Sequence, residues 1–217
     1  MLLLLAFSTH PARAETLHGV ELPDSIERDG RTLRRLGMGT RTATAFRVKI
    51  YVAGLYVEEP DAADAAAPQA IEPTPPGAPT PDRPSTPAAW LAGDPPAILD
   101  DGRAKAIILQ YLYTISRDDM KKGWEYYFAE NCPARDCAPY RGSIDRFMSL
   151  VSEVEPGTRY TYFFFPDRID IMRGADRVGG VAGDGFSRLL LSTWIGDVPP
   201  TEELKKALVG TAGNDRR

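Results

Sequence analysis

The segment from Gly37 to Glu58 constrains the fold of this chain more than any other. Its first half, Gly37-Met38-Gly39-Thr40-Arg41-Thr42-Ala43-Thr44, sets two glycines and a run of small and β-branched residues around one arginine. Glycine accepts positive φ at no steric cost, so the pair predicts a tight turn. The second half is dense in Val, Ile and Tyr, which suit a pleated strand. Alternation puts Val48, Ile50, Val52, Gly54 and Tyr56 on one face, and Lys49, Tyr51, Ala53, Leu55 and Val57 on the other. Neither face is cleanly polar, so the strand should be covered on both sides for much of its length. Gly54 inside it predicts a bulge or a close backbone approach.

Strands and helices alternate around this segment. Gly19 to Pro23 reads as an edge strand, and Asp29-Gly30 as a hairpin turn leading into Thr32–Leu36. Arg31, Arg34 and Arg35 read as a solvated face. Ala97 to Gly102 leads into a central strand from Ala104 to Ile115. Ser116, followed by Asp118 and Asp119, marks a capped helix start. Met120, Trp124, Tyr127 and Phe128 then form an apolar stripe at helical spacing that reads as core. A second helix from Ser143 carries Ile144, Phe147, Met148, Val151 and Val154 on one face and stops at Pro156-Gly157. Arg159–Phe165 and Ile169–Met172 read as strands around a Pro166-Asp167 turn. Gly179, Gly180, Gly183 and Gly185 lack the strand-then-fingerprint context of a dinucleotide site and read as turns. A helix over Phe186–Ile195 and a short last helix after Thr201 complete the domain.

At 217 residues the chain suits one domain with extras. Residues 1–14 read as a secretory signal: Leu2 to Phe7 are apolar and Ala12-Arg13-Ala14 is a cleavage site, although no basic residue precedes the run. The other reading is a disordered N-terminus. Residues 60–87 are rich in Pro and Ala and predict a disordered insertion within a domain at 15–210, with a flexible tail at 211–217. No later stretch is long enough to span a membrane. A net charge of -4 argues against a nucleic-acid partner. Cys132 and Cys137, the only two cysteines, read as a disulfide in the oxidising compartment that export implies. They offer too few neighbours for a metal site. The one histidine after the signal, His18, argues against histidine-dependent catalysis. No cofactor is implied.

Gly37, Gly39 and Arg41, followed by Lys49, Gly54, Leu55, Tyr56, Val57 and Glu58, resemble the Gly-x-Gly-x-Arg and Lys-x-x-x-x-Gly-(Val/Leu)-Tyr-(Leu/Val)-Glu blocks of the chalcone isomerase superfamily. The likeness is nearest to its secreted bacterial chalcone isomerase-like proteins and runs from about Val20 to Val209. Leu189 to Gly196 looks like the family's late helix. The resemblance implies an α+β fold, an antiparallel β-sheet with helices packed on one face, as an open-faced β-sandwich. It also implies a periplasmic or secreted location.

The family's isomerases close a phenol oxygen onto an enone in an apolar cleft, with a cation for the oxyanion and hydroxyls near the ketone. The resemblance carries the cation to Arg41 and a hydroxyl to Thr193. Two departures stand against activity. The threonine of the plant enzymes' strand is Tyr51 here, and their helix-start tyrosine is replaced in Ser116-Arg117-Asp118-Asp119-Met120. Other branches bind fatty acids through the equivalent arginine, or assist partner enzymes. Three readings follow. The first is a non-catalytic binder of a small apolar acid, fatty or flavonoid-like, held by Arg41, Tyr51, Thr193 and Trp194. The second is an intramolecular lyase using Arg41 and Thr193, and the third an adaptor protein with a closed cleft.

Overall fold

The computed structural model describes residues 16–43, 46–59, 94–132, 136–183 and 185–211. The expected signal segment and the insertion at 60–87 lie outside these residues, as does nearly all of the tail.

Seven strands form one antiparallel sheet in the order β3-β4-β5-β6-β7-β8-β9. They are β3 (Ser25–Arg28), β4 (Arg31–Ala43), β5 (Val48–Glu58), β6 (Lys105–Tyr111), β7 (Arg159–Phe164), β8 (Arg168–Arg173) and β9 (Asp176–Ala182). Asp29 and Gly30 both take positive φ, 52° and 76°, as the two-residue hairpin turn requires. A two-stranded ribbon, β1 (Thr16–Leu17) and β2 (Val20–Glu21), precedes the sheet. The expected edge strand at Gly19–Pro23 is thus part of this ribbon, and Ser25–Arg28 is the edge of the main sheet.

Among the described residues five α-helices accompany the sheet: α1 (Pro95–Asp100), α2 (Arg117–Asn131), α3 (Arg141–Leu150), α4 (Phe186–Ile195) and α5 (Glu202–Leu208). Ser116 caps α2 by accepting from the Asp119 amide, and Thr201 caps α5 by accepting from that of Leu204. One sheet face and the helices share a core of Tyr162, Trp194, Trp124, Phe128, Phe147 and Phe186, whose rings pack edge-to-face or tilted except for the stacked pair Trp124 and Phe128. On the opposite face Val52, Tyr56, Ile108, Phe163 and Phe165 are covered by Val20, Leu22 and Leu33. The interior strand β5 is therefore buried on both sides. Leu22 fits against Gly54, where an added Cβ would come within 2.8 Å of its Cδ1. The sheet curls so far that β3 reaches β8: Arg28 Nη2 donates to Asp170 at 3.3 Å, and Arg168 Nη2 to Asp29 at 2.7 Å.

Several expectations are corrected. Gly37 and Gly39 make no turn; they lie inside β4, paired with Leu55 and Ala53. They are glycines because α5 lies on them. A Cβ at Gly37 would sit 2.1 Å from the Ala207 carbonyl oxygen, and one at Gly39 2.6 Å from the Ala207 Cβ. Ala97–Asp100 is helix, nucleated by Asp94 at its N-cap with Pro95 in the first turn. The helix from Ser143 ends at Leu150, because Val151 turns extended and Val154 bridges back to Ile115. The glycine-rich run at 177–182 is strand β9, where Gly179 makes room for Leu150. Arg31 and Arg34 are not merely solvated; they pair with Glu58 and Glu59, while Arg35 is largely buried and donates to Leu22 O and Asp24.

Candidate functional site

At one end of the sheet α2 stands off from β4, β5 and β6 and leaves a cleft of about 330 Å³. Arg41 comes from β4, Tyr51 from β5, Tyr111 from β6, Thr193 and Trp194 from α4, and Met120, Gly123, Trp124 and Tyr127 from one face of α2. Local sequence explains how they meet. Arg41 pairs with Tyr51, but the next pair is Thr42 with Lys49, so a bulge leaves Ile50 without an opposite residue. The bulge moves Ile50 off the face that strict alternation gave it, and Ile50 joins Tyr51 in lining the cleft. On α2, Met120, Gly123, Trp124 and Tyr127 share a side by the three-and-four spacing of a helix.

Arg41 lies between two phenol rings, its guanidinium carbon 5.7 Å from the Tyr51 centroid and 5.6 Å from that of Tyr127. Such faces attract a cation. Arg41 Nη2 donates to the Tyr127 hydroxyl at 3.1 Å. Its Nε is buried without a hydrogen-bond partner, and no carboxylate pairs with Arg41 among the described residues. The Trp194 Nε1 donates to the Tyr51 hydroxyl at 3.2 Å. An indole can only donate, so Tyr51 accepts there and its own proton is left to point elsewhere. Tyr127, accepting from Arg41, is in the same position. Burial pushes the Tyr51 phenol up to about 12, partly offset by the Arg41 charge, so it stays neutral and remains a donor. The head of the cleft thus gathers donors: Arg41 Nε and the hydroxyls of Tyr51 and Tyr127. Thr193 Oγ1 donates to Leu190 O at 2.7 Å inside its own helix, which leaves only its lone pairs for the cleft.

Among the described residues of the lining the one carboxylate is Asp119, at the mouth. It is exposed and turned to Ser116 Oγ at 2.8 Å and Lys122 Nζ at 3.3 Å, bonds that hold its pKa below the usual range. The Asp119 carboxylate, at the helix start where the plant enzymes carry a tyrosine, therefore has its own partners at the rim. Of the residues the sequence singled out, Arg41, Tyr51, Thr193 and Trp194 all meet here, while Cys132 and Cys137 form a disulfide at the far end of α2. Tyr127 and Gly123 were missed. The α2 stripe was read as core, and half of it is: Phe128 packs inward while Tyr127 faces the cleft.

Fold and cleft together define a helix-backed α+β domain with a curled antiparallel sheet. The chain belongs to the chalcone isomerase-like family, whose model matches residues 14–74 and 91–210. No curated protein sequence matches it significantly. Among solved structures it is similar to a fatty-acid binding protein of Arabidopsis thaliana, with 18% identity and a TM-score of 0.66 over 92% of this chain and 96% of that one. At that identity the likeness speaks for the fold.

Proposed function

We propose that this domain is a non-catalytic binder of small apolar carboxylic acids, seated with the carboxylate at Arg41 and the apolar body along Tyr111, Trp124 and Trp194. The observation that carries the reading is the excess of donors at the head of an otherwise apolar cleft: a buried guanidinium nitrogen without an acceptor, flanked by two phenols already accepting. A carboxylate brings two oxygens with about four lone-pair sites, which suits three converging donors. The volume lies near the lower end of the range of about 300–1,000 Å³ usual for small-molecule sites. The likeness in fold to a plant fatty-acid binding protein supports the same class of ligand. The rim carboxylate is already bonded and no histidine lines the cleft among the described residues, so these side chains suit binding rather than proton transfer. The disulfide and the N-terminal apolar segment support export to an oxidising compartment.

Calorimetry with a series of fatty and aryl carboxylic acids tests the reading. A hydrogen bond to a charged group contributes about 1.5–3 kcal/mol, so Arg41→Ala should weaken binding roughly ten- to a hundredfold. Arg41→Lys should recover only part, because an ammonium lacks the planar fork. Each added methylene should tighten binding by about 0.8 kcal/mol until the cleft is full. Equal binding by wild type and Arg41→Ala would refute the proposal.

A further inference from the structure

The rim of the cleft has features that binding a free acid does not require. Phe46, in the connection between β4 and β5, is 91% exposed. Arg47 beside it and Lys49 one residue into β5 are exposed as well. Tyr113, 52% exposed, lines the cleft mouth. These residues lie together at one end of the sheet. Ala43, which pairs with Val48 across the connection carrying Phe46, lines the cleft. The Leu112 amide donates to Ile50 O, which brings Tyr113 up beside Lys49.

Charge separates this end from the rest of the molecule. The chain is net -4, yet from Arg31 to Val57 it contains no Asp or Glu. Arg47 and Lys49 form no ion pair among the described residues. The acids near this rim are Asp119, bonded to Ser116 and Lys122, Asp118 exposed beside it, and Glu153 and Glu155, exposed on either side of Val154, which bridges to Ile115 two residues past Tyr113. An exposed phenyl and a half-exposed phenol flanked by cations are what a protein needs to enter the headgroup layer of an anionic bilayer. A surface phenyl at this exposure is otherwise a liability.

We infer that this rim is a membrane-docking surface, with Phe46 and Tyr113 seated at the headgroup boundary, Arg47 and Lys49 on lipid phosphates, and the cleft opening toward the bilayer. The inference rests on the cleft reading only for its purpose, the exchange of an apolar acid with the lipid. Docking itself is measured without ligand.

Flotation of the full chain with vesicles of phosphatidylglycerol and phosphatidylcholine in equal parts is the test. Wild type should float with these vesicles, fail to float with phosphatidylcholine alone, and be released by salt. Each cation near an anionic surface contributes about 1 kcal/mol, roughly fivefold, so Arg47→Glu with Lys49→Glu should cut vesicle affinity at least tenfold. Phe46→Ser should do the same at unchanged charge. Neither variant touches the core, and melting temperature checks that they fold. Wild type that ignores both vesicle types, or variants that float as well as wild type, would overturn the inference. So would concentration-dependent dimerisation lost in Phe46→Ser, which would assign the rim to a second copy. Calorimetry in lipid-free buffer keeps the two ideas apart: docking without acid binding sinks the cleft reading alone, and acid binding without docking sinks this one alone.

Discussion

Gly123 shows how a single residue can belong to two arguments. It lies in the middle of α2, where glycine is about 0.5–1 kcal/mol worse than alanine, and it lines the cleft with nothing within 4 Å of where a Cβ would be. Gly123→Ala should therefore raise stability by about that amount in thermal or urea unfolding. Gly123→Leu should fold equally well but project into the cleft and lower acid affinity, read by the same calorimetry. If Gly123→Leu binds as wild type does, the ligand does not lie along α2. At this scale much of the head was legible in the sequence: Arg41 stands among small residues, and Thr193 and Trp194 follow from the late helix. Tyr127 was not, because a helical stripe looks the same whether it faces a core or a hollow. The bulge at Ile50 was equally invisible, since alternation alone assigns it to the other face.

At the level of elements, the contact between β4 and α5 is the tightest test of the fold. Glycine in a sequence means either positive φ or the need for an absent Cβ, and nothing local tells the two apart. Gly37 and Gly39 looked like the first and are the second. Gly37→Ala would drive a methyl group into the Ala207 and Leu208 carbonyl oxygens, which are backbone and cannot rotate away. It should cost about 3 kcal/mol, toward the upper end for overpacking, measured as a shift in the urea midpoint. A neutral Gly37→Ala would mean that α5 is not seated as described. The sheet edge at β9 is guarded by α3, whose Arg146 and Ser143 side chains donate to Gly180 O and Ala182 O. The sequence reads as turns here because the glycines, Gly179 against Leu150 and Gly180 against Arg177 and the Ile169 carbonyl, mask the Val178 and Val181 pattern.

For the whole molecule, closure of the curl depends on Asp170. This carboxylate is 4% exposed and accepts from Arg177 at 2.8 Å and Arg28 at 3.3 Å, with Arg168 at 3.6 Å, so it joins β8 and β9 to β3. Burial alone would raise its pKa; the bonds from Arg177 and Arg28 more than offset this, and the net direction is down. A carboxyl depressed in the fold stabilises fully above its ordinary range, and the gain is lost as pH falls through the folded value. Thermal melts should thus decline between about pH 5 and pH 2, and Asp170→Asn should flatten that slope while costing about 1.5–3 kcal/mol at neutral pH. An unchanged acid profile in Asp170→Asn would show that the curl closes without it. The general architecture was legible from strand and helix periods, whereas this closure was not, because it joins side chains far apart in sequence.

The seat of α5 on β4 also sets an order of events during synthesis. The glycine track is among the first parts of the domain to leave the ribosome, and the helix that fills it is the last. Contacts between the two ends of a chain are the slowest to form, because the intervening loop must close first. A nascent chain can build the hairpins of β3 to β5 early, but Gly37 and Gly39 have no helix over them until Leu204, Ala207 and Leu208 have been made. Until that helix has been made, the apolar floor it covers stays open to other chains and to chaperones.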